Sequence, residues 1–278
     1  MVGLIRRDAA GCRGRGLRVS GDGAAETEAA RVNRAYYEAA SAGQQDYWRL
    51  MAAPRARVST ILSLVQVEPV RSLVDLGCGG GGLLREIEAR LPGVELAGLD
   101  LSSRQIEANR RGGSKIRWAV ADLERPMAED ESLSGRWDVV VASEILEHLD
   151  EPEAFLGNAL RLATPGRGRL LLTTQSGPVR ETERRVGHRQ HYTREVLESL
   201  LVKTGWTEPR VWNAGFPFHD LSKWWANRDP DASFRRFGDR PYGLSERLVC
   251  ALLRGAFALN SRSRGAQLYA VGRRGLER

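Results

Sequence analysis

Ionisable side chains that can move protons are concentrated in two short stretches of the chain. Glu144, Glu147 and His148 lie close together, and in a helix their i, i+3 and i+4 spacing puts them on one face. His188 and His191 come later, so three of the four histidines lie in these stretches. Imidazole and carboxylate groups can remove a proton from an acceptor. The candidate general bases are therefore His148, Glu144 and His191.

A glycine-rich turn follows the first strong strand pattern. The apolar residues around Asp75 run into Gly-Cys-Gly-Gly-Gly-Gly at 77–82, and a helical pattern follows at once. Glycine lacks a Cβ and adopts positive φ, so such a turn lets the backbone approach a nucleotide-like ligand closely. Gly77, Gly79 and Gly82 also fit the dinucleotide pattern. The turn alone therefore permits an NAD-dependent reductase and does not identify the nucleotide.

Strands and helices alternate from residue 72 onward, and this alternation predicts the framework that positions these groups. It indicates an α/β fold with a Rossmann-like, doubly wound and mostly parallel sheet. Asp100 and Asp122 close two strands at their carboxyl ends, where ligands of such sheets bind. The predicted strands are 72–76, 94–99, 116–121, 137–142, 169–174, 208–212 and 267–271.

Ordered motifs make the chain resemble the class I S-adenosylmethionine-dependent methyltransferases. The resemblance covers about residues 35–213 and 265–273, and it implies S-adenosyl-L-methionine as the cofactor. The matching pieces are Val-Asp-Leu-Gly-Cys-Gly-Gly-Gly at 74–81, Gly-Leu-Asp-Leu-Ser at 98–102, Ala-Asp-Leu at 121–123, Trp-Asp-Val-Val-Val-Ala-Ser-Glu-Ile-Leu-Glu-His-Leu at 137–149, Pro-Gly-Arg-Gly-Arg-Leu-Leu-Leu-Thr-Thr at 165–174 and His-Tyr-Thr-Arg-Glu at 191–195.

The resemblance implies roles for the residues that follow the strands. Asp75 would lie near the methionine amino group, and the glycines would let the backbone pass close by. Asp100 would accept hydrogen bonds from both ribose hydroxyls, and Asp122 from the adenine amino group. The implied cofactor-binding residues in this part of the chain are Asp75, Gly77, Gly79, Gly81, Asp100, Leu101, Asp122, Leu123 and Ser143.

The N-terminal segment is expected to form a helical cap that closes the other side of the site. Tyr37, Tyr47 and Arg55 lie in it. Arg55 is a candidate partner for the cofactor carboxylate because a guanidinium binds carboxylates in a bidentate manner. Tyr37 and Arg55 complete the predicted cofactor-binding set.

A narrower similarity raises a metal-dependent alternative. The Glu-x-x-Glu-His motif of the small-RNA 3′-end 2′-O-methyltransferases, with its downstream histidine, looks like residues 144–148 and 188–194. On that interpretation Glu144, Glu147, His148 and His188 would bind a divalent ion. We expect no metal, because Glu-His-Leu is common in the wider family and His148 can make a structural hydrogen bond.

An aromatic-rich insertion separates strands six and seven. Because strand six is parallel, the insertion emerges at the carboxyl edge of the sheet, and we expect a lid that forms a partly apolar acceptor pocket. The predicted segments are a disordered leader at 1–23, a helical cap at 24–70, the cofactor-binding core at 71–213, the lid at 214–264, and the last strand and tail at 265–278.

The overall composition and charge argue against several other functional classes. The net charge is +7, but the arginines are scattered and only three lysines occur, so we expect no nucleic-acid partner. Cys12, Cys78 and Cys250 suggest neither a disulfide framework nor a zinc site. No signal peptide or membrane span is evident, so we expect a cytoplasmic protein without membrane contact.

The sequence therefore predicts an S-adenosylmethionine-dependent methyltransferase that O- or N-methylates a small molecule, in secondary metabolism such as antibiotic biosynthesis. One alternative is an RNA 2′-O-methyltransferase that uses the metal set described above. The other is a regulatory protein that binds S-adenosylmethionine without methyl transfer. Neither the acceptor nor the oligomeric state can be deduced from the sequence.

Overall fold

The structure is a computed structural model that describes residues 43–125, 136–238 and 240–276. The predicted leader and Tyr37 lie outside the described residues. Two helices, α1 (Gly43–Leu50) and α2 (Ala52–Val65), precede the sheet. Helix α2 buries Val58, Ile61, Leu62 and Val65 against it, as their helical spacing requires. The N-terminal segment is thus helical where it is described.

A single seven-stranded sheet forms the centre of the molecule. Its strands are β1 (Ser72–Leu76), β2 (Glu95–Asp100), β3 (Arg117–Val120), β4 (Val139–Ser143), β5 (Arg169–Gln175), β6 (Trp206–Ala214) and β7 (Gln267–Arg274). Their order is β3-β2-β1-β4-β5-β7-β6. Strands β1 to β5 pair in parallel, and β7 is antiparallel to both β5 and β6. The predicted Rossmann-like, mostly parallel sheet is confirmed.

Helices cover both faces of the sheet. They are α3 (Gly82–Arg90), α4 (Ser103–Arg111), α5 (Pro152–Leu162), α6 (Glu181–Arg185) and α7 (Arg194–Lys203). The side chain of Ser102 caps α4 by accepting a hydrogen bond from the Gln105 N–H. Along β1, Leu73 packs on one face and Val74 on the other, and all five residues of the strand are buried. Continuous apolar runs therefore mark strands that are buried on both faces.

The insertion between β6 and β7 contains three helices, α8 (Phe218–Ala226), α9 (Pro230–Phe237) and α10 (Leu244–Phe257). It begins and ends at one point of the sheet, because Ala214 pairs with Gln267. Among the described residues, no helix is both long enough and apolar enough to cross a membrane.

Candidate functional site

The glycine turn is hydrogen-bonded to the end of β2. The N–H groups of Gly77 and Cys78 both donate to the carbonyl of Leu99, at 2.8 and 3.0 Å. Gly77, Gly79 and Gly81 adopt φ values of +73°, +47° and +71°, a left-handed region that glycine enters without strain. The sequence therefore needs glycine at all three positions for the backbone path alone.

Only one of these three glycines faces open space. A Cβ on Gly77 would come within 2.4 Å of Ile145 Cδ1, and one on Gly81 within 2.4 Å of the Trp118 ring. A Cβ on Gly79 would meet nothing within 4 Å. Gly77 and Gly81 thus make room for side chains of the protein, and Gly79 is the position where the turn can receive a ligand.

Asp100 links this open position to the next helix. Its Oδ2 accepts the Gly79 N–H at 2.7 Å and its Oδ1 accepts the Ser102 N–H at 2.8 Å. Burial raises the pKa of Asp100, and the two hydrogen bonds, which act to lower the pKa, offset only part of this effect. A carboxylate oxygen can accept more than one hydrogen bond, so both oxygens keep capacity for ribose hydroxyls.

Asp75 lies below the turn in β1 and is 3% exposed. Burial, with the nearby charge of Asp100, raises the pKa of Asp75 to about 8. The carboxyl group is therefore protonated at neutral pH and can donate as well as accept a hydrogen bond.

The remaining predicted cofactor residues lie after β2, β3 and β4. Asp122 accepts hydrogen bonds from the Glu124 N–H and the Arg125 side chain, both at 3.1 Å, and the carbonyl of Leu123 accepts from Asn158 at 3.0 Å. Leu101 is half-buried beside Asp100. Ser143 Oγ lies 3.0 Å from Thr173 Oγ1, at the ends of the paired strands β4 and β5. These contacts place the residues along the carboxyl edge of the sheet.

The helix that would place Glu144, Glu147 and His148 on one face does not form. Glu144 has a φ of +54° and ends β4 in a left-handed conformation, and only a short 3-10 turn, Leu146–His148, follows. The next residue, Ile145, packs over the glycine turn so closely that a Cβ added at Gly77 would overlap it. Glu144 and His148 therefore do not share a helix face.

Glu144 is the most heavily bonded carboxylate of the site. It accepts hydrogen bonds from Thr173 Oγ1 and Gln267 Nε2 at 2.9 Å each and from Gln175 Nε2 at 2.5 Å, and Arg57 Nη1 lies 3.6 Å away. Burial would raise the pKa of Glu144, but Arg57 and these donors outweigh it and lower the pKa. Such a carboxylate is a weak proton acceptor, and it holds the side chains of Arg57, Thr173, Gln175 and Gln267 in place.

Arg57 is a site residue that the sequence did not predict, whereas Arg55 was the predicted partner of the cofactor carboxylate. The structure pairs Arg55 with Glu86 on α3, whereas Arg57 is 6% exposed and points to Glu144. The burial of Arg57 could have been predicted from the helical spacing of α2. Arg57 lies on the same face as Val58 and Ile61, and that face is buried.

Glu147 and two histidines form a compact cluster behind Glu144. Glu147, His148 and His188 each offer a ligand atom, and these atoms lie within 4.8 Å of one another. Glu147 Oε2 accepts from Thr174 at 2.7 Å, while its Oε1 has no hydrogen-bond partner among the described residues. Of the four residues proposed as metal ligands, the structure brings together these three, and Glu144 stays with Arg57.

The histidines extend from this cluster toward the surface. The rings of His148 and His188 are 4.7 Å apart, and His188 Nδ1 lies 3.0 Å from His191 Nε2. Burial lowers the pKa of His148 to about 4. Burial and the neighbouring His148 lower the pKa of His188 to about 2, and burial and Lys223 lower that of His191. All three imidazoles are thus neutral at pH 7, and each keeps a ring nitrogen that can accept a hydrogen bond.

The insertion between β6 and β7 reaches the site with a lysine. Lys223 Nζ on α8 donates to Gln175 Oε1 at 2.9 Å and lies 2.6 Å from Glu183 Oε1. Trp224 and Trp225 are 47% and 70% exposed. These two tryptophans do not line an enclosed pocket, which differs from the expected aromatic lining.

Comparison with known proteins agrees with this architecture. A family profile described as a methyltransferase domain matches residues 44–208, more than half of the chain. Malonyl-[acyl-carrier protein] O-methyltransferase of Hahella chejuensis is 31% identical over 141 residues, 49% of this chain and 48% of that protein. A ubiquinone biosynthesis O-methyltransferase of Xanthomonas oryzae pv. oryzae is 36% identical over 106 residues, 37% of this chain and 42% of the relative. The chain thus spans less than half of the length of these relatives.

Solved structures share the fold at low identity. Phosphoethanolamine N-methyltransferase 2 of Haemonchus contortus, in complex with S-adenosyl-L-methionine, has a TM-score of 0.56 at 14% identity, covering 81% of this chain and 54% of that one. The [4+2]-cyclase SpnF has a TM-score of 0.51 at 18% identity, covering 81% and 82%. The chain therefore belongs to the methyltransferase domain family, within the class I enzymes that use S-adenosylmethionine.

Proposed function

We propose that this protein transfers a methyl group from S-adenosylmethionine to an oxygen atom of a small molecule in a biosynthetic pathway of secondary metabolism. The observation that carries the proposal is the row of neutral imidazoles, His148, His188 and His191, which begins three residues after Ile145, the residue that packs over Gly77 of the glycine turn. The O-methyltransferase names of the two relatives described above support an oxygen acceptor.

The cofactor supplies a methyl group that is already activated on a sulfonium sulfur. The protein therefore has to bind the cofactor, orient the acceptor, exclude water and remove the acceptor proton. Gly79 and Asp100 fit the cofactor, because one leaves open space and the other keeps acceptor capacity. We assign proton removal to His148, against whose ring the ring of His188 packs.

Glu144 is assigned to positioning instead of proton transfer. Its charge is held by Arg57 and by three side-chain donors, so it fixes the ends of β4, β5 and β7 relative to α2. Arg57 and Lys223 bring positive charge to the same place from the cap and from the lid. Both cations are already paired, with Glu144 and with Glu183, so the arrangement favours a polar acceptor group beside the imidazoles.

The test is methyl transfer by the purified chain to a panel of phenols, carboxylic acids and amines, with mass spectrometry of the products. O-methylated products that disappear with His148→Ala, at unchanged cofactor affinity, would support the proposal. Methylated amines alone would overturn the oxygen assignment. Cofactor binding without any methylated product would favour the third hypothesis, a binding protein without methyl transfer.

A divalent ion is a second possible role for the cluster. Glu147 has an oxygen without a hydrogen-bond partner among the described residues, and with His148 and His188 it offers three atoms of types that divalent ions bind, within 4.8 Å of one another. Two imidazoles and one carboxylate would hold such an ion, which would orient acceptor oxygens there. Dialysis against a chelator followed by readdition of Mg²⁺ or Zn²⁺ decides between the two roles. Activity that survives the chelator excludes the ion.

A further inference from the structure

Helix α10 carries an apolar stripe on its outer face. Leu244, Leu248 and Leu252 are spaced four residues apart and are 78%, 57% and 75% exposed. The opposite face holds Cys250 and Glu246, which are buried. An amphipathic helix of a soluble protein turns its leucines inward, and this helix exposes three of them in a row.

Helix α8 repeats the pattern with tryptophan. Leu221, Trp224 and Trp225 are 52%, 47% and 70% exposed and share one helix face. The guanidinium of Arg228, one turn further, lies 4.9 Å from the ring of Trp224 and 5.9 Å from that of Trp225. Tryptophan combined with arginine on one face is typical of segments at a membrane–water interface.

The two helices belong to one positively charged segment. Residues 215–266 contain nine arginines and lysines against five acids, a surplus of four in a chain whose total is +7. The described acids of the segment are engaged within the protein. Asp220 accepts from the Ala266 N–H, Asp229 from the Ala232 N–H, Asp231 from Arg185 and Glu246 from the Gly243 N–H. Three cations of the segment are also paired, Lys223 with Glu183 and Arg236 and Arg240 with Glu246. The segment as a whole keeps a net positive charge, which favours an external anion.

We propose that α8 and α10 dock the protein on an anionic lipid surface. Leucines and tryptophans would enter the boundary between head groups and acyl chains, and the arginines would contact lipid phosphates. A second copy of the chain would bring two basic segments together, so charge favours the anionic surface over self-association. Attachment would be peripheral, and it differs from the sequence-based expectation of no membrane contact. The proposal does not depend on the identity of the methyl acceptor.

The test is co-sedimentation of the full chain with phosphatidylcholine vesicles that do or do not contain phosphatidylglycerol. We expect binding to the anionic vesicles that weakens with added salt. The double variant Leu248→Gln/Leu252→Gln should lower the partition coefficient about tenfold or more, because two apolar side chains no longer enter the interface. The matched control is Val196→Gln/Val202→Gln on α7, which removes two residues of 55% and 60% exposure outside the segment and should leave binding unchanged.

Three results would overturn the proposal. The first is the absence of binding to anionic vesicles. The second is binding that Leu248→Gln/Leu252→Gln leaves unchanged, which would assign lipid contact to another part of the chain. The third is a dimer, seen by light scattering, that the same variant dissociates, because the stripe would then be covered by a second copy. Circular dichroism checks that both double variants fold.

Discussion

Replacing Gly79 with alanine separates a ligand-binding role of the turn from its structural role. The new methyl group meets no protein atom within 4 Å, so the folded state bears only the strain of a φ of +47°. That strain costs about 1–2 kcal/mol for a residue with a Cβ. If the open space receives the cofactor, the methyl group also overlaps the ligand. An overlap worth about 1–3 kcal/mol weakens binding about 5- to 150-fold.

Two further alanine variants complete this experiment. Gly113 has a φ of +70° and also faces open space, but it follows α4, outside the glycine turn. Gly113→Ala should lose the same stability and bind S-adenosylmethionine normally. Gly81→Ala places its methyl group 2.4 Å from Trp118, which a second glycine, Gly98, also contacts closely, so the ring has little room to move. We expect about 1–3 kcal/mol of overpacking in addition to the backbone strain.

The measurements are urea unfolding for stability and calorimetry for cofactor affinity. We expect Gly79→Ala to bind S-adenosylmethionine more weakly than the wild type. Gly113→Ala, which should lose the same stability, should bind it with wild-type affinity. Wild-type affinity in Gly79→Ala would show that the open side of the turn is not the cofactor side. A stability loss in Gly79→Ala as large as that of Gly81→Ala would show that the space is not open.

Other predictions concern the acidic and imidazole groups. Asp100→Asn should lower the affinity for S-adenosylmethionine about 10- to 100-fold by calorimetry, since hydrogen bonds to a charged acceptor are worth about 1.5–3 kcal/mol each; unchanged affinity would contradict the ribose role. His148→Ala should lower kcat about 10²- to 10⁴-fold with little change in cofactor Kd, as expected for a general base. Arg57→Met should cost about 3 kcal/mol in urea unfolding because it leaves Glu144 without its cation, and adding Glu144→Gln should restore part of that loss. Burial lowers the pKa of His148 from 6.5 to about 4, so the unfolded chain binds a proton that the folded chain does not. Stability should therefore fall as the pH falls, with His148 contributing about 2 kcal/mol of the loss between pH 7.5 and 5.0. His148→Gln should remove that share of the loss, and an equal loss in both proteins would refute the assignment.

The fold could be predicted because its signals are local. Buried parallel strands read as continuous apolar runs, and Asp100 follows one of them directly. Ser102 before α4 and Pro152 at the start of α5 indicate where these helices begin. Their effect can be predicted from the local sequence because it is confined to the first turn of the helix. Residues at the ends of parallel strands therefore gather at one edge without any knowledge of distant contacts.

The site could be predicted only in part, because its geometry depends on contacts between distant segments. Glu144 looks like the first residue of a helix, but in the structure it adopts a left-handed conformation and Ile145 packs over the distant Gly77. The orientation of Trp224 and Trp225 could not be read from their type, because a tryptophan-rich helix can face either a pocket or solvent. The burial of Arg57 could have been predicted, because its spacing in the helix places it on the buried face with Val58 and Ile61.

The pairing of Ala214 with Gln267 has a consequence for how this protein can change during evolution. A segment whose two ends meet at one rung of the sheet can be lengthened, shortened or exchanged at little cost in loop closure, because the strands stay where they are. The matched family profile ends at residue 208, before this segment begins. The sheet and this segment can thus vary separately. A chimera that carries another protein's segment between residues 214 and 267 should still fold and bind the cofactor.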